Sequence, residues 1–320
     1  MARICIVTPA RAGSRNGNRH TAGRWAGFLR GFGHRVAIRT QWQGEPCDLL
    51  LALHARRSHA SILEFHTRFP GKPLVVVLTG TDLYSDLPRS RQARESLRLA
   101  DRIVVLQSEA KLELEKRLRA KTRIVYQSSS PSVRQAPPKG RFRIAVVGHL
   151  REVKDPFRAV AALSRLKKTA LELELIQIGD ALSPEMKFAA RRWMNREPRY
   201  RWLGGRTHAQ SLGWIARSHL LVVSSAMEGG ANVIAEAARI GTPVLASRVS
   251  GNLGMLSRSY PGYFPLFDDK ALSRLIYKVL NEKNTYQLLK RALAARRHLF
   301  APAAERRALD SVLGELDARL

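Results

Sequence analysis

Apolar residues fall along this chain in short runs separated by longer amphipathic stretches, and the two alternate. Runs near 3–8, 35–39, 48–53, 74–79, 102–107 and 122–126 read as buried strands. The patterns between them, near 18–31, 57–68, 89–99 and 108–120, read as helices. After residue 141 the alternation restarts, with strands near 142–147, 171–178, 200–203, 220–223 and 243–246. Helices are expected near 156–168, 184–196, 208–217 and 231–240, with three more from about 269 onward. This is the pattern of an α/β chain whose parallel sheets are wrapped on both faces. Residues 128–141, SSSPSVRQAPPKGR, carry no apolar period and separate two units of similar size. The expected division is a first domain over 1–130, a linker over 131–141 and a second domain over 142–300. A C-terminal helix within 301–320 is expected to pack back on the first domain.

The stretch 224–247, SSAMEGGANVIAEAARIGTPVLAS, organises the second unit. A helix from about Ala231 to Ile240 has Val233, Ala237 and Ile240 at the spacing of one buried face, and Gly241 followed by Pro243 stops it. Its start, Glu228-Gly229-Gly230-Ala231-Asn232, puts small residues where first-turn N–H groups would otherwise be screened. Such a helix tip suits an anion. The flanking carboxylates Glu228 and Glu236 suit sugar or ribose hydroxyls, which donate hydrogen bonds that carboxylates accept. The alternative is that Glu236 pairs with Arg239, three residues on, along a solvated face. Arg151 and Lys154, in the loop after the second unit's first strand, are expected beside the same tip, completing a diphosphate clamp. The sequence has no Asp-x-Asp pair and no His/Cys cluster at ligand spacing, so this clamp is expected to work without a metal or other cofactor.

In doubly wound sheets ligands bind beyond the carboxyl ends of the strands. In the first unit those ends carry Gly13-Ser14-Arg15-Asn16-Gly17-Asn18-Arg19, His54-Ala55-Arg56-Arg57-Ser58, Thr79-Gly80-Thr81-Asp82 and Gln127-Ser128-Ser129. The loop at 13–19 lacks the dinucleotide glycine spacing. It is either a phosphate-binding nest with arginine beside it or a plain turn. Arg56 and Arg57 stand at a helix start, where the dipole disfavours cations. An anion beside them or a solvated surface accounts for them equally. Asp82 either caps the local turn or takes part in chemistry, with His54 as the other titratable group.

Composition changes this picture modestly. With 45% hydrophobic residues, 320 residues suffice for two cores. No apolar run approaches the roughly 20 residues of a membrane span. The apolar start MARICIVTP is too short for a secretory signal and reads as a strand. Two cysteines, Cys5 and Cys47, make no disulfide framework, and cytoplasm is the expected compartment. A net charge of +29 and a pI near 11.3 favour anionic partners. The basic residues are scattered through helices without aromatic interleaving, so specific nucleic-acid binding is not expected; it stays a rival reading on charge alone.

The tandem units, the linker, Gly148 with Lys154 after the restart strand, and Glu228 with Glu236 around a glycine-rich helix start together resemble retaining glycosyltransferases of the GT-B fold, family 4. The resemblance implies two Rossmann-like domains facing across a cleft. It implies Lys154 on a nucleotide diphosphate, Glu236 on the ribose, and Glu228, Gly229, Gly230, Ala231 and Asn232 on sugar and phosphates. The strand at 200–203, with Arg201 and Leu203, would carry the uracil. Where the family has Arg directly after the glycine, this chain has His149; either His149 or Arg151 fills that place. Across nearly the whole chain, TPARAGSRNGNRHTAGRW, QGEPCDLLLALHARRS, LVVVLTGTDLY, VVGHLREVKDPFRA, EPRYRWLG and SSAMEGGANVIAEA are similar to the selenosugar synthases of selenoneine biosynthesis. That resemblance implies a UDP-hexose donor, UDP-N-acetylglucosamine or UDP-glucose, and selenophosphate as acceptor. Its product is a 1-seleno-β-sugar, and its pathway partners are a selenophosphate synthetase and a selenoneine synthase. Acceptor binding then falls to Gly13, Ser14, Arg15, Asn18, Arg19, Arg56, Arg57, Thr79, Gly80 and Thr81. Asp82, His54 and Lys154 are the candidate catalytic residues. A GT-B enzyme acting on a sugar, lipid or natural-product hydroxyl is the alternative.

Overall fold

In the computed structural model, which describes residues 1–11, 13, 17–131, 133, 135–166 and 172–316, the two halves form two six-stranded parallel sheets. The first contains β1 (Arg3–Val7), β2 (Arg35–Arg39), β3 (Leu49–Leu53), β4 (Leu74–Leu78), β5 (Arg102–Val105) and β6 (Thr122–Ile124) in the order β2-β1-β3-β4-β5-β6. Its helices are α1 (Gly17–Gly31), α2 (His59–Arg68), α3 (Arg91–Leu99) and the single turn α4 (Lys116–Arg119). Alternate residues of one strand enter different cores. Leu50 and Ala52 of β3 pack with Ile62 and Phe65 of α2 and Leu97 of α3. Leu49, Leu51 and Leu53 pack with Trp25 and Leu29 of α1. Burial on both faces is why the strands are continuous apolar runs, LLLAL and LVVVL, rather than alternating ones.

The second sheet contains β7 (Arg141–Val147), β8 (Glu172–Ile178), β9 (Tyr200–Trp202), β10 (Leu220–Val223), β11 (Val244–Ser247) and β12 (Tyr263–Phe264), ordered β12-β11-β10-β7-β8-β9. Its helices are α5 (Arg158–Ser164), α6 (Pro184–Arg196), α7 (His208–Ala216), α8 (Asn232–Ile240), α9 (Ser250–Leu256), α10 (Asp269–Asn281) and α11 (Lys283–Arg296). The strand order reverses between β1 and β3 in the first sheet and between β7 and β10 in the second. Loops leaving the carboxyl ends of strands that flank such a reversal diverge and leave room for a ligand.

Two compact units result: Ser128–Ala301, and Met1–Gln127 together with Pro302–Leu320. The last helix, α12 (Pro302–Gly314), completes the first unit by adding Leu309, Val312 and Leu313 to the core beneath α1. Glu305 of α12 is 1% exposed and accepts hydrogen bonds from Arg24 Nε (2.7 Å), Arg24 Nη2 (2.9 Å) and Trp25 Nε1 (2.7 Å). A buried carboxylate is tolerated only when paired this fully.

Three expectations are corrected. The helix expected over 108–120 is a 3-10 turn at Glu109–Lys111 followed by α4. Arg119 takes the carbonyls of Leu112 (2.7 Å) and Leu114 (2.8 Å), acceptors that a continuous helix would give to backbone amides. Ala110, Leu114 and Leu118 are nonetheless all buried, as their spacing demands. In α8 the buried residues run from Ile234 to Ala238, while Val233 and Ile240 are only half-buried, because the helix packs against α7, α9 and α11 at once. The turn before α2 holds Arg56 and Arg57, which therefore precede the helix; Ser58 is its N-cap.

Candidate functional site

At the reversal of the second sheet, backbone contact sets the geometry. Gly179 follows β8 with φ +144°, and a Cβ there would overlap the carbonyl oxygen of Gly148 and lie 2.8 Å from the backbone nitrogen of His149. The loop after β7 forms a 3-10 turn at Glu152–Lys154, closed by Asp155 in the left-handed region. The loop after β10 is stitched to it. Ser224 Oγ reaches the carbonyls of Lys154 (3.2 Å) and Asp155 (2.8 Å), and Ala226 N–H donates to Val153 O (2.9 Å). This brings Lys154 Nζ to 2.5 Å from Glu228 Oε1, which also accepts from Ser225 Oγ at 2.6 Å. Behind the loop, Ser247 Oγ holds Ser225 O, and Gly251 of α9 lies so close to Glu228 that a Cβ would meet its Cβ at 2.7 Å. Lysine carries three donors, so Lys154 can keep Glu228 and still bind a phosphate oxygen.

α8 begins at Ala231 with no side-chain cap and no acidic residue in its first turn. Its tip therefore offers N–H groups and the positive end of the helix dipole. Gly229 and Ala231 are buried, Gly230 and Asn232 half-buried. Glu236, 9% exposed, pairs with His208 Nε2 through Oε1 at 2.8 Å, so the expected alternative, an ion pair with Arg239, is not the one formed.

Among the described residues no hydrogen bond or ion pair ties the other donor-side residues to this cluster. Arg151 is exposed and makes no ion pair among the described residues. His149 is half-buried and accepts from Asp180 N–H through Nδ1 (3.2 Å). Arg201 is paired in the sheet with Ile176, yet its guanidinium reaches back to Glu174 (3.7 Å), towards the amino ends of the strands. Leu203 is half-buried and donates its N–H to Gln177 O (2.9 Å).

In the first unit β3 ends at His54, a non-glycine residue at φ +75° and 1% exposed. Its Nδ1 accepts from Arg57 N–H (3.3 Å), while Nε2 is buried without a hydrogen-bond partner, 3.8 Å from Asp86 Oδ2. Burial lowers the pKa of this imidazole; Asp82 and Asp86 oppose the shift, while Arg57 and Arg56 reinforce it. His54 is therefore neutral at neutral pH. Arg56 Nε lies 2.8 Å from Asp86 Oδ2 as an ion pair without hydrogen-bond alignment. Asp82 is fully buried: Oδ1 accepts from Thr79 N–H (2.8 Å) and Gly80 N–H (2.9 Å), and Oδ2 from Ala55 N–H (3.0 Å). This carboxylate ties the end of β3 to the end of β4 through three backbone amides. Of the two roles open to Asp82 in the sequence, the geometry is that of the cap.

Gly80 (φ +129°) is buried, Thr79 half-buried and Thr81 exposed. Arg57 is exposed, and Gly13 is exposed at φ +80°. Asn18 and Arg19 lie half-buried in the first turn of α1. Ser14 and Arg15 lie outside the described residues. Sequence reasoning missed Asp86, which sits on a π-helical turn, Asp82–Asp86, of the kind that often marks functional sites. The signal was two aspartates four apart after a strand. It also missed His208, 28 residues from Glu236, for which no local signal exists.

Among the described residues no three His, Cys, Asp or Glu side chains gather to hold a metal, and no helix is long and apolar enough to cross a membrane. The chain is similar over 99% of its length to Anabaena Alr3699/HepE in complex with UDP and glucose, with a TM-score of 0.77, 16% identity and 100% of that chain covered. It is similar to sucrose-phosphate synthase (tll1590) from Thermosynechococcus elongatus, with a TM-score of 0.78 and 17% identity over 100% of both chains. The apo form of the lipopolysaccharide outer core galactosyltransferase WaaB gives a TM-score of 0.71 and 14% identity, over 98% of this chain and 99% of that one. No curated protein matches the sequence. At these identities the likeness concerns the fold, which is the α/β GT-B fold. Residues 131–296 match the family model of glycosyl transferases group 1, and over half of the chain is thereby covered. The chain belongs to the glycosyl transferases group 1 family.

Proposed function

We propose that this glycosyltransferase is a selenosugar synthase, moving a hexose from UDP-N-acetylglucosamine or UDP-glucose to selenophosphate. The observation that carries the reading is a pair of exposed arginines, Arg56 and Arg57, beside strand-end groups that are themselves engaged. Asp82 accepts from three backbone amides, and the buried His54 accepts from Arg57 N–H through Nδ1. A hydroxyl acceptor needs a base; selenophosphate is already an anionic, polarisable nucleophile and needs charge neutralisation and positioning. The similarity of six stretches of the chain to selenosugar synthases supports the same acceptor.

Selenium attacks the anomeric carbon as the bond from that carbon to the diphosphate oxygen breaks, and UDP leaves with the electron pair. Water then cleaves the selenium–phosphorus bond, giving phosphate and the 1-seleno-β-sugar. On the donor side, Lys154 with the α8 tip and Arg151 neutralise the diphosphate without a metal, Glu236 takes the ribose, and Glu228 with Gly229 and Gly230 meets the sugar. UDP and glucose in the Anabaena neighbour are consistent with a UDP-sugar donor. On the acceptor side, Arg19, Arg56, Arg57 and the Thr79–Thr81 loop bind selenophosphate.

A second reading, transfer to a hydroxyl, is favoured by Asp86, whose Oδ2 makes no hydrogen bond among the described residues and stands 3.8 Å from His54 Nε2, so that this carboxylate can take the acceptor's proton. Mass spectrometry of products separates the two. The protein is incubated with each UDP-sugar and selenophosphate, with thiophosphate and simple alcohols as competitors. A selenium-containing hexose is expected; O-glycosides with no selenium product would overturn the proposal.

A further inference from the structure

α7 is fastened to the α8 segment at both of its own ends. At one end Thr242, just past α8, donates its hydroxyl to Ile215 O of α7 (2.9 Å). At the other, His208 Nε2 meets Glu236 Oε1 at 2.8 Å. The backbone of the histidine is held because it follows the N-cap of α7 and that cap is a reciprocal box, while its side chain is 57% exposed. Thr207 Oγ1 accepts from Gln210 N–H (3.2 Å), and Gln210 Oε1 accepts from Thr207 N–H (3.0 Å). Glu236 is its counterpart, 9% exposed on a helix buried along most of its length.

An ionised carboxylate can only accept, so the ring donates from Nε2. That one bond stops the carboxylate turning. Each carboxylate oxygen has two lone-pair directions, so Oε1 can keep the histidine while both oxygens accept from two neighbouring hydroxyls. From this geometry we infer that His208 is the positioning residue of Glu236: it fixes the carboxylate plane so that a vicinal diol is read and a single hydroxyl is not. The inference rests on the proposal that Glu236 faces the ribose of a uridine nucleotide, and it adds what makes that contact selective.

The test is calorimetric binding of UDP and 2′-deoxy-UDP to the full chain and three variants. A hydrogen bond to a charged group corresponds to about tenfold or more in affinity, and the wild type is expected to prefer UDP by about that factor. His208→Phe, which keeps a ring but no donor, is expected to lose most of that preference by weakening UDP and leaving 2′-deoxy-UDP nearly unchanged. His208→Gln, which returns a donor at a similar reach, is expected to restore it. An unchanged ratio in His208→Phe, or equal losses for both ligands, overturns the inference. So does a wild type that binds both equally. Glu236→Gln tests the reading beneath: if it binds UDP as the wild type does, the ribose assignment itself falls, whatever His208 does.

Discussion

Lys154 Nζ and Glu228 Oε1 lie 2.5 Å apart, though 74 residues separate them, because each follows a strand bordering the reversal in the second sheet. Glu228 is 7% exposed and its partners are Lys154 and Ser225. Lys154→Met should therefore weaken UDP about tenfold or more, the scale of a charged hydrogen bond. Titration calorimetry measures this; an unaltered UDP affinity would remove Lys154 from the donor site.

Arg56 stands on the first unit, held 2.8 Å from Asp86. Arg56→Ala should raise the KM for selenophosphate several-fold while UDP affinity stays as it was. Arg19→Ala, in the first turn of α1, should act alike. If both variants turn over selenophosphate normally, the acceptor is bound elsewhere.

Gly179→Ala puts a methyl group into the backbone of Gly148 and His149, and it does so at φ +144°. The obstacle is backbone, which cannot rotate away, so the loss should exceed about 2 kcal/mol by urea denaturation. UDP affinity should fall with it, since the loop that carries Lys154 begins there. A variant with wild-type stability would mean the close approach of the two loops is wrong.

Two imidazoles are kept neutral by the fold. Burial lowers the pKa of His54, and burial followed by the charge of Arg143 lowers that of His219, whose Nδ1 accepts from Arg143 N–H at 3.1 Å. Their folded pKa values lie below the unfolded value near 6.5, so the unfolded chain binds protons first as the pH falls. Stability is complete above about pH 6.5 and declines from there until the folded values are reached. The urea midpoint should accordingly drop between pH 7.5 and 5.5. His219→Asn, which keeps an acceptor but does not titrate, should show a smaller drop; an equal drop would take His219 out of the account.

The strands and most helices were legible because parallel strands buried on both faces leave unbroken apolar runs, as at Leu49–Leu53 and Leu74–Leu78. The meeting of Lys154 with the loop before α8 was legible for a topological reason, both loops flanking β7 and β10. What could not be read depends on contacts that carry no local period. α9, SGNLGML, has two glycines and poor helix propensity, and it forms where Gly251 lets it lie against Glu228. Asp82 stands at a strand end, as its position suggested, but where its lone pairs go is set by amides of Ala55 and Gly80. His208 meets Glu236, and Asp86 meets His54, only once the strands are stacked.

The carboxylate of Glu305, buried against Arg24 and Trp25, has a consequence for how the protein is made. Synthesis runs from the amino end, yet the layer that α1 begins over one face of the first sheet stays incomplete until the ribosome has passed α12. The first 127 residues should thus wait, exposed to proteases, while the whole second unit is translated and free to fold. Arrested nascent chains can show this: one stopped before residue 302 should be cut readily within residues 1–127, and one with α12 clear of the exit tunnel should resist.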